Sequence, residues 1–146
     1  MPGFNHHNTA LRICVDKFED HVVSGRVFSC RLTKPIVFRD LGGLVLRLDD
    51  VFDQQNFPQA FQRSCCFLHD DKREIFAAQD PSEGMSRELV NAQKGDFATF
   101  EVLVVSRRSS SWQGHIDWLD GSPRQEFISY LELMRMADEK LFREYL

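Results

Sequence analysis

The sequence is poor in several features that define common classes of protein. Its four cysteines form no Cys-x-x-Cys pair, and no Cys and His residues are spaced as in tetrahedral zinc sites, so we expect no bound metal. The longest apolar runs, residues 41–46 and 102–105, are far shorter than the roughly 20 residues that cross a bilayer. The first residues lack the basic and apolar regions of a secretory signal, which predicts a cytoplasmic protein.

Charge and motif content exclude further classes of function. With 22 acidic and 18 basic residues the net charge is −4, which disfavours binding to nucleic acids or anionic membranes. No nucleophile motif, metal-binding helix signature or glycine-rich phosphate loop occurs. We therefore expect a non-enzymatic protein without a cofactor. A hydrophobic share of 42% over 146 residues is enough for a single folded domain, residues 1–146.

Alternating residues predict three consecutive strands in the C-terminal half. Residues 96–107 and 112–118 alternate between apolar and polar side chains, with a short polar turn between them. The pair Asp120-Gly121 predicts a tight turn, after which residues 123–127 return as a shorter strand. These strands form an antiparallel meander.

A helix follows the meander. Ser129 suits the N-cap, and Glu132 stands three residues later, where each side chain can satisfy the other residue's backbone N–H. Apolar side chains then recur at three- and four-residue steps, at Tyr130, Leu131, Met134, Ala137, Leu141 and Tyr145. This stripe is expected to pack on the apolar face of the sheet.

The N-terminal half has the same order of features, which favours an internal repeat of about 22–55 and 111–146. A shift of 89 residues aligns Gly25 with Gly114, Phe38 with Phe127, Asp40 with Ser129, Leu44 with Leu133 and Asp49 with Asp138. The first copy ends in a helix whose apolar residues are Leu41, Leu44, Val45, Leu48 and Phe52. The opposing interpretation is that any strand-turn-strand-helix segment with two phenylalanines aligns this well.

The predicted fold is therefore α+β, with an antiparallel sheet packed against two main helices. Residues 10–18 form an apolar strand or a helix, and the sequence leaves this choice open. Between the copies, residues 64–68 are predicted as a short strand and residues 86–94 as a short helix that ends before Gly95.

The candidate binding residues lie around the first turn of the meander. Arg107, Arg108, Trp112 and His115 could bind phosphate or a single nucleic-acid strand through charge and stacking. If the parity of Trp112 places its ring in the core, stacking is lost and the two arginines become solvated turn residues. A third interpretation is acid–base chemistry by His115, Asp117 and Glu126 on the polar face of the meander.

The helices also suggest an interface. Leu46 and Val51 on the first helix, and Leu133 and Met136 on the last, lie off the predicted stripes. Off-stripe apolar residues favour a second buried surface, hence a homodimer or a protein partner. We therefore expect a binding or regulatory protein that acts through protein–protein contacts. The alternative is a small-ligand or nucleic-acid binder that uses Arg107 and Arg108.

The residues 112–118, WQGHIDW, and 127–133, FISYLEL, resemble a known sequence pattern. It is W-Q-G-x-x-x-W followed by F-R-S-x-L-E-L, from a family of small uncharacterised proteins of anaerobic Gram-positive bacteria. The chain departs from that family at Ile128, where Arg is usual, and at Gly42-Gly43, where a better helix former is usual. The resemblance implies membership of the family and implies no activity.

Overall fold

The computed structural model describes residues 4–6, 8–59, 76–109 and 111–145. Within these ranges the strands are β1 (Leu11–Glu19), β2 (Val22–Phe28), β3 (Ile36–Phe38), β4 (Ala98–Ser106), β5 (Gln113–Asp117) and β6 (Gln125–Phe127). The helices are α1 (Leu41–Gln55), α2 (Arg87–Asn91) and α3 (Tyr130–Tyr145), and a 3-10 turn covers Pro81–Glu83.

All six strands form one antiparallel sheet in the order β3-β2-β1-β4-β5-β6. Each half of the chain contributes three neighbouring strands and then a long helix, and the halves meet where β1 pairs with β4. This arrangement confirms the predicted α+β fold with two main helices. The apolar segment near residue 10, for which strand and helix were both open, forms β1.

The ends of the long helices are set by the expected capping residues. The Asp40 carboxylate accepts the N–H of Gly43, and the Ser129 hydroxyl accepts the N–H of Glu132 at 3.0 Å. Each bond satisfies a backbone donor that has no partner inside its helix. α1 ends at Asn56, whose left-handed backbone (φ 50°) allows its N–H to bond back to the last turn.

Both long helices pack on one face of the sheet, which we call the inner face. One apolar cluster joins inner-face residues of the strands, such as Ile13, Val102 and Ile116, to both helices. The helical residues buried in it are Leu44, Leu48, Val51, Phe52, Leu133, Ala137 and Leu141. Burying a large apolar side chain stabilises a fold by roughly 1.5–3 kcal/mol, so this layer is the main source of stability.

The predicted stripe of α3 is partly wrong. Ala137 and Leu141 are buried as expected, but Leu131 is 61% exposed, whereas Leu133 is buried. A helical period fits the burial of either Leu131 or Leu133, and the angle at which α3 packs on the sheet buries Leu133. In α1 the predicted stripe is confirmed at Leu44, Leu48 and Phe52.

The two halves of the sheet have the same register. Gly25 on β2 lies opposite Phe38 on β3, and Gly114 on β5 lies opposite Phe127 on β6, each 89 positions further along. A shift in register between Val15 and Lys17 on β1 has its counterpart between Val104 and Ser106 on β4. Equivalent positions are therefore defined in the two halves by structure as well as by sequence.

The described residues cover the opposite, outer face of the sheet over the first half only. Residues 85–97, which include α2, lie across β1 and β2, where Val90 and Met85 pack on Cys14 and Phe28. Polar contacts hold the segment there: Arg12 donates to the carbonyl of Gln93 at 2.8 Å. The helix predicted for residues 86–94 is thus present, but its regular part is only Arg87–Asn91.

Two remaining predictions concern the segment between the two halves and the absence of a membrane-spanning segment. The short strand predicted at residues 64–68 lies outside the described residues. Over the part of the chain that is described, none of the helices has the length and apolar character needed to span a bilayer.

Candidate functional site: a groove on the outer face of the sheet

The structure does not place Arg107 in an exposed turn, so that prediction is wrong. The residue is 4% exposed, and its guanidinium donates to a carboxylate oxygen of Asp53 and to the carbonyl of Pro58, both at 2.6 Å. A longer contact of 3.5 Å reaches Asp49. The side chain joins the end of β4 to the C-terminal turns of α1, where cations stabilise a helix. Arg107 therefore has a structural role.

Sequence reasoning missed a second buried arginine beside it. Arg31 is 1% exposed, donates to the side chain of Gln55 at 2.7 Å and to the carbonyl of Phe57, and lies over the ring of Phe52. Burial, and then the charge of Arg107, lower the pKa of Arg31 to about 9. No local pattern marks the residue, because its partners lie 24 and 26 positions away.

The other members of the predicted binding set are separated. Trp112 is 1% exposed, and its indole N–H donates to Asp49 at 3.0 Å, so the ring faces the core as its parity indicated. Arg108 is exposed in the turn, where its backbone exchanges hydrogen bonds with the side chain of Gln113. His115 lies on the outer face, so the structure does not bring the four residues together.

The predicted helix-face interface is also divided. Val51 and Leu133 are 2% and 6% exposed and belong to the core, so the prediction that they form a second surface is wrong. Both pack on the inner face beside the expected stripes. Leu46 is 71% exposed, and Met136 is half-buried against the core. Only Leu46 among the four presents most of its surface to solvent.

A concavity lies on the outer face, beside α2. It has a volume of about 750 Å³, which is within the usual range of small-molecule sites. We call it the outer groove. Its lining comes from β1, β4, β5, α2, the N-terminal segment and the loops after β2 and before β6. It comprises His6, Asn8, Ala10, Arg12, Cys30, Arg87, Val90, Asn91, Glu101, Val102, Leu103, His115, Asp117 and Arg124.

Charged residues on neighbouring strands form the floor of the outer groove. Arg12 on β1 lies opposite Glu101 on β4, and its guanidinium donates to that carboxylate at 2.9 Å. Glu101 in turn lies opposite Asp117 on β5. One oxygen of Asp117 accepts the N–H of Leu119 at 2.9 Å. The floor thus carries two carboxylates side by side and an arginine that binds only one of them.

The N-terminal segment supplies a wall and has a fixed local structure. The backbone N–H of Asn5 donates to the side chain of Asn8 at 2.8 Å, and the reverse bond is 3.2 Å. The hydroxyl of Thr9 donates to the carbonyl of Asn5 at 2.7 Å. The ring of His6, 5.3 Å from that of Phe57, is thereby held at the rim.

The outer groove includes two of the three residues proposed for acid–base chemistry. His115 and Asp117 both line it, whereas Glu126, the cross-strand partner of His115, is exposed and is not among the lining residues. Cys30 lines the opposite side, and burial raises the pKa of its thiol, which disfavours the reactive thiolate. No group of His, Cys, Asp and Glu suited to a metal ion occurs among the described residues.

No protein-family profile, no curated protein and no solved structure matches this chain. The resemblance to the family with the W-Q-G-x-x-x-W pattern therefore stays a prediction.

Proposed function

We propose that this chain is a non-enzymatic binding protein that holds a small polar molecule in the outer groove. The observation that carries the proposal is the groove itself, a cavity of about 750 Å³ whose floor is made of charged side chains on rigid strands. Sites built on strands hold their groups more precisely than sites built on loops. The cytoplasmic location expected from the sequence suits a soluble metabolite-sized ligand.

The charges of the floor favour a small polar ligand over a macromolecule. The centre of a protein–protein interface is usually apolar and depleted in charge, whereas here Arg12, Glu101 and Asp117 occupy the centre. A nucleic-acid backbone would meet the two carboxylates, which repel phosphate. A small molecule with polar groups can instead match the charged positions one by one.

A comparison inside the molecule supports the same ligand class. Arg12 and Glu101 lie opposite each other on the two central strands, β1 and β4. Phe28 on β2 lies opposite Arg12, and Asp117 on β5 lies opposite Glu101, so Phe28 and Asp117 are equivalent positions. Phe28 is 5% exposed and packs under α2. An aspartate at the equivalent position is unsuited to a second apolar cover of that kind, which favours a polar occupant.

A fragment screen by protein-observed NMR would test this function. Polar fragments are expected to shift the backbone amides of Leu103, His115 and Asp117. The Leu103→Trp variant, which fills the groove, should lose these shifts, whereas Val37→Trp on the exposed edge strand should keep them. Bound fragments should be recovered unchanged by mass spectrometry. Shifts confined to other surfaces, or binding that survives Leu103→Trp in a folded variant, would refute the proposal.

Protein–protein contact is the second candidate, and the exposure of an apolar residue on α1 favours it. Leu46 on α1 is 71% exposed. Such a side chain gains by burial against another surface. Sedimentation at high micromolar concentration should then show a dimer that Leu46→Lys abolishes. A monomeric wild-type protein that captures no partner through this surface would exclude this candidate.

We also propose that the two halves arose by duplication. The shared register, with both Gly–Phe pairs 89 positions apart, supports this origin. The central pair adds a second argument, because Arg12 and Glu101 are themselves 89 positions apart and lie opposite each other. A sequence from a relative in which the two halves are more alike would test the proposal, and relatives that lack one half's Gly–Phe pair would weaken it.

A further inference from the structure

We infer that the ligand of the outer groove is a small zwitterion of the free amino-acid class. This inference rests on the proposed function and adds the chemical class of the ligand. Its cationic group would lie between Glu101 and Asp117, and its carboxylate would lie at Arg124. Three observations on neighbouring strands support this assignment.

The first observation is the pair of like charges on the floor. Glu101 and Asp117 are direct cross-strand neighbours, and like charges at such positions destabilise a sheet. Arg12 offsets only part of this repulsion, because its guanidinium contacts a single oxygen of Glu101 and does not bind Asp117. Asp117 receives one backbone N–H and no cationic side chain among the described residues. An ammonium group between the carboxylates would be attracted to both.

The second observation is an arginine in the lining of the same cavity. Arg124 lines the outer groove and makes no hydrogen bond or ion pair with any other described residue. A guanidinium offers a planar pair of donors that fits a carboxylate. The site therefore offers a ligand an anionic and a cationic position together.

The third observation is the short separation of these positions. Ile116 on β5 lies opposite Gln125, the first residue of β6, and Asp117 and Arg124 are the residues that flank this pair on the same side. Backbones of neighbouring strands are about 4.8 Å apart, so these two side chains start from nearby positions and can both reach one small ligand. The remaining cavity, bounded by Ala10, Leu103 and Val90, is available to the side chain of the ligand.

Ligand-observed NMR with the twenty free amino acids, each paired with its N-acetyl and its amide form, would test the inference. At least one free amino acid should bind, and either blocked form should bind at least about tenfold more weakly, because each block removes one charge-assisted contact. Asp117→Asn and Arg124→Gln should each weaken binding by a similar factor. Asp117→Asn keeps the acceptor for Leu119 and removes the like charge, so its Tm should equal or exceed that of the wild type.

Glu126→Gln and Arg108→Gln are the matched controls, since both residues are exposed and lie outside the lining of the groove; neither should change binding. Equal binding of a blocked form, or of either test variant, would overturn the zwitterion assignment. If polar fragments bind in the groove but no free amino acid does, this inference fails and the proposed function stands. If nothing binds in the groove, both fail.

Discussion

The two central strands, β1 and β4, are equivalent in register but differ in what covers them. In β1 five consecutive residues, 11–15, are buried, because the long helices cover the inner face and α2 covers the outer face. In β4 buried and partly exposed residues alternate from Phe100 to Val104. The same strand framework thus supports a strand buried on both faces and a strand with one open, charged face.

This difference arises from residues 85–97, which belong to the segment that links the two halves of the chain. Residues 85–97 cross only β1 and β2, held by contacts such as the N–H of Phe97 donating to the carbonyl of Val15 at 2.8 Å. The second half has no such segment on it among the described residues, and Asp117 stands there at the position of Phe28 in the first half. The outer groove forms because the two halves share one backbone arrangement, whereas residues 85–97 cover the outer face of the first half and not that of the second.

The largest expected effect concerns Arg107, whose equivalent in the first half is Phe18. Both are buried, but Arg107 neutralises Asp53 and binds two backbone carbonyls. Arg107→Ala should lower the free energy of unfolding by about 3–5 kcal/mol, since it leaves buried acceptors without a donor. Urea unfolding would measure this. The neighbouring Arg108→Ala should change stability by less than about 0.5 kcal/mol, and equal effects would contradict the distinction.

The equivalent glycines should respond alike. A Cβ on Gly25 would lie 2.0 Å from the carbonyl oxygen of Cys14, and one on Gly114 would lie 1.9 Å from that of Leu103. Each Gly→Ala change must therefore separate two paired strands, at a cost of about 3 kcal/mol or more. Thermal unfolding of both variants would compare them. A large loss in one half with none in the other would break the equivalence.

The outer-face positions should respond differently. Phe28→Ala removes a buried ring under α2 and should cost about 3 kcal/mol. Asp117→Ala at the equivalent position removes a half-buried like charge and should cost less than about 1 kcal/mol. The comparison requires only chemical unfolding of the two variants. Similar losses would mean that both outer faces are equally covered.

A smaller effect depends on pH. Asp16 accepts two bonds from Arg26, at 2.9 and 3.0 Å, and these lower the pKa of its carboxyl group. The stabilisation is present above the unfolded-state pKa and is lost as the pH falls through the lowered folded-state value. Asp16→Asn should cost about 0.5–1 kcal/mol at neutral pH, and this difference should disappear in strong acid.

Unfolding measured from neutral to acidic pH would check the pH dependence. The equivalent residue in the second half, Val105, is 38% exposed and cannot form such an ion pair. Its Val105→Thr variant is the control and should show no change with pH. A constant deficit for Asp16→Asn at every pH would show that the loss is not electrostatic.

Much of the fold follows from local patterns, and the site follows only in part. The caps at Asp40 and Ser129 and the alternation around His115 and Asp117 are visible in the sequence, because each depends on residues a few positions apart. The pairing of Arg12 with Glu101 is not, since 89 positions separate them. The burial of Arg107 and Leu133 could not be predicted either. An arginine beside a turn can be exposed or buried, and a helical period fits the burial of either Leu131 or Leu133.

By itself the sequence determined the type of most strands and helices, with residues 10–18 the exception, because hydrophobic period, capping residues and turn residues act over a few neighbours. Only the tertiary structure decided which faces those elements present. Residues 85–97 pack on the first half, where Cys14 and Phe28 offer an apolar surface, and not on the charged positions of the second half. The physical reason is that burial depends on contacts between distant segments, which no local pattern contains.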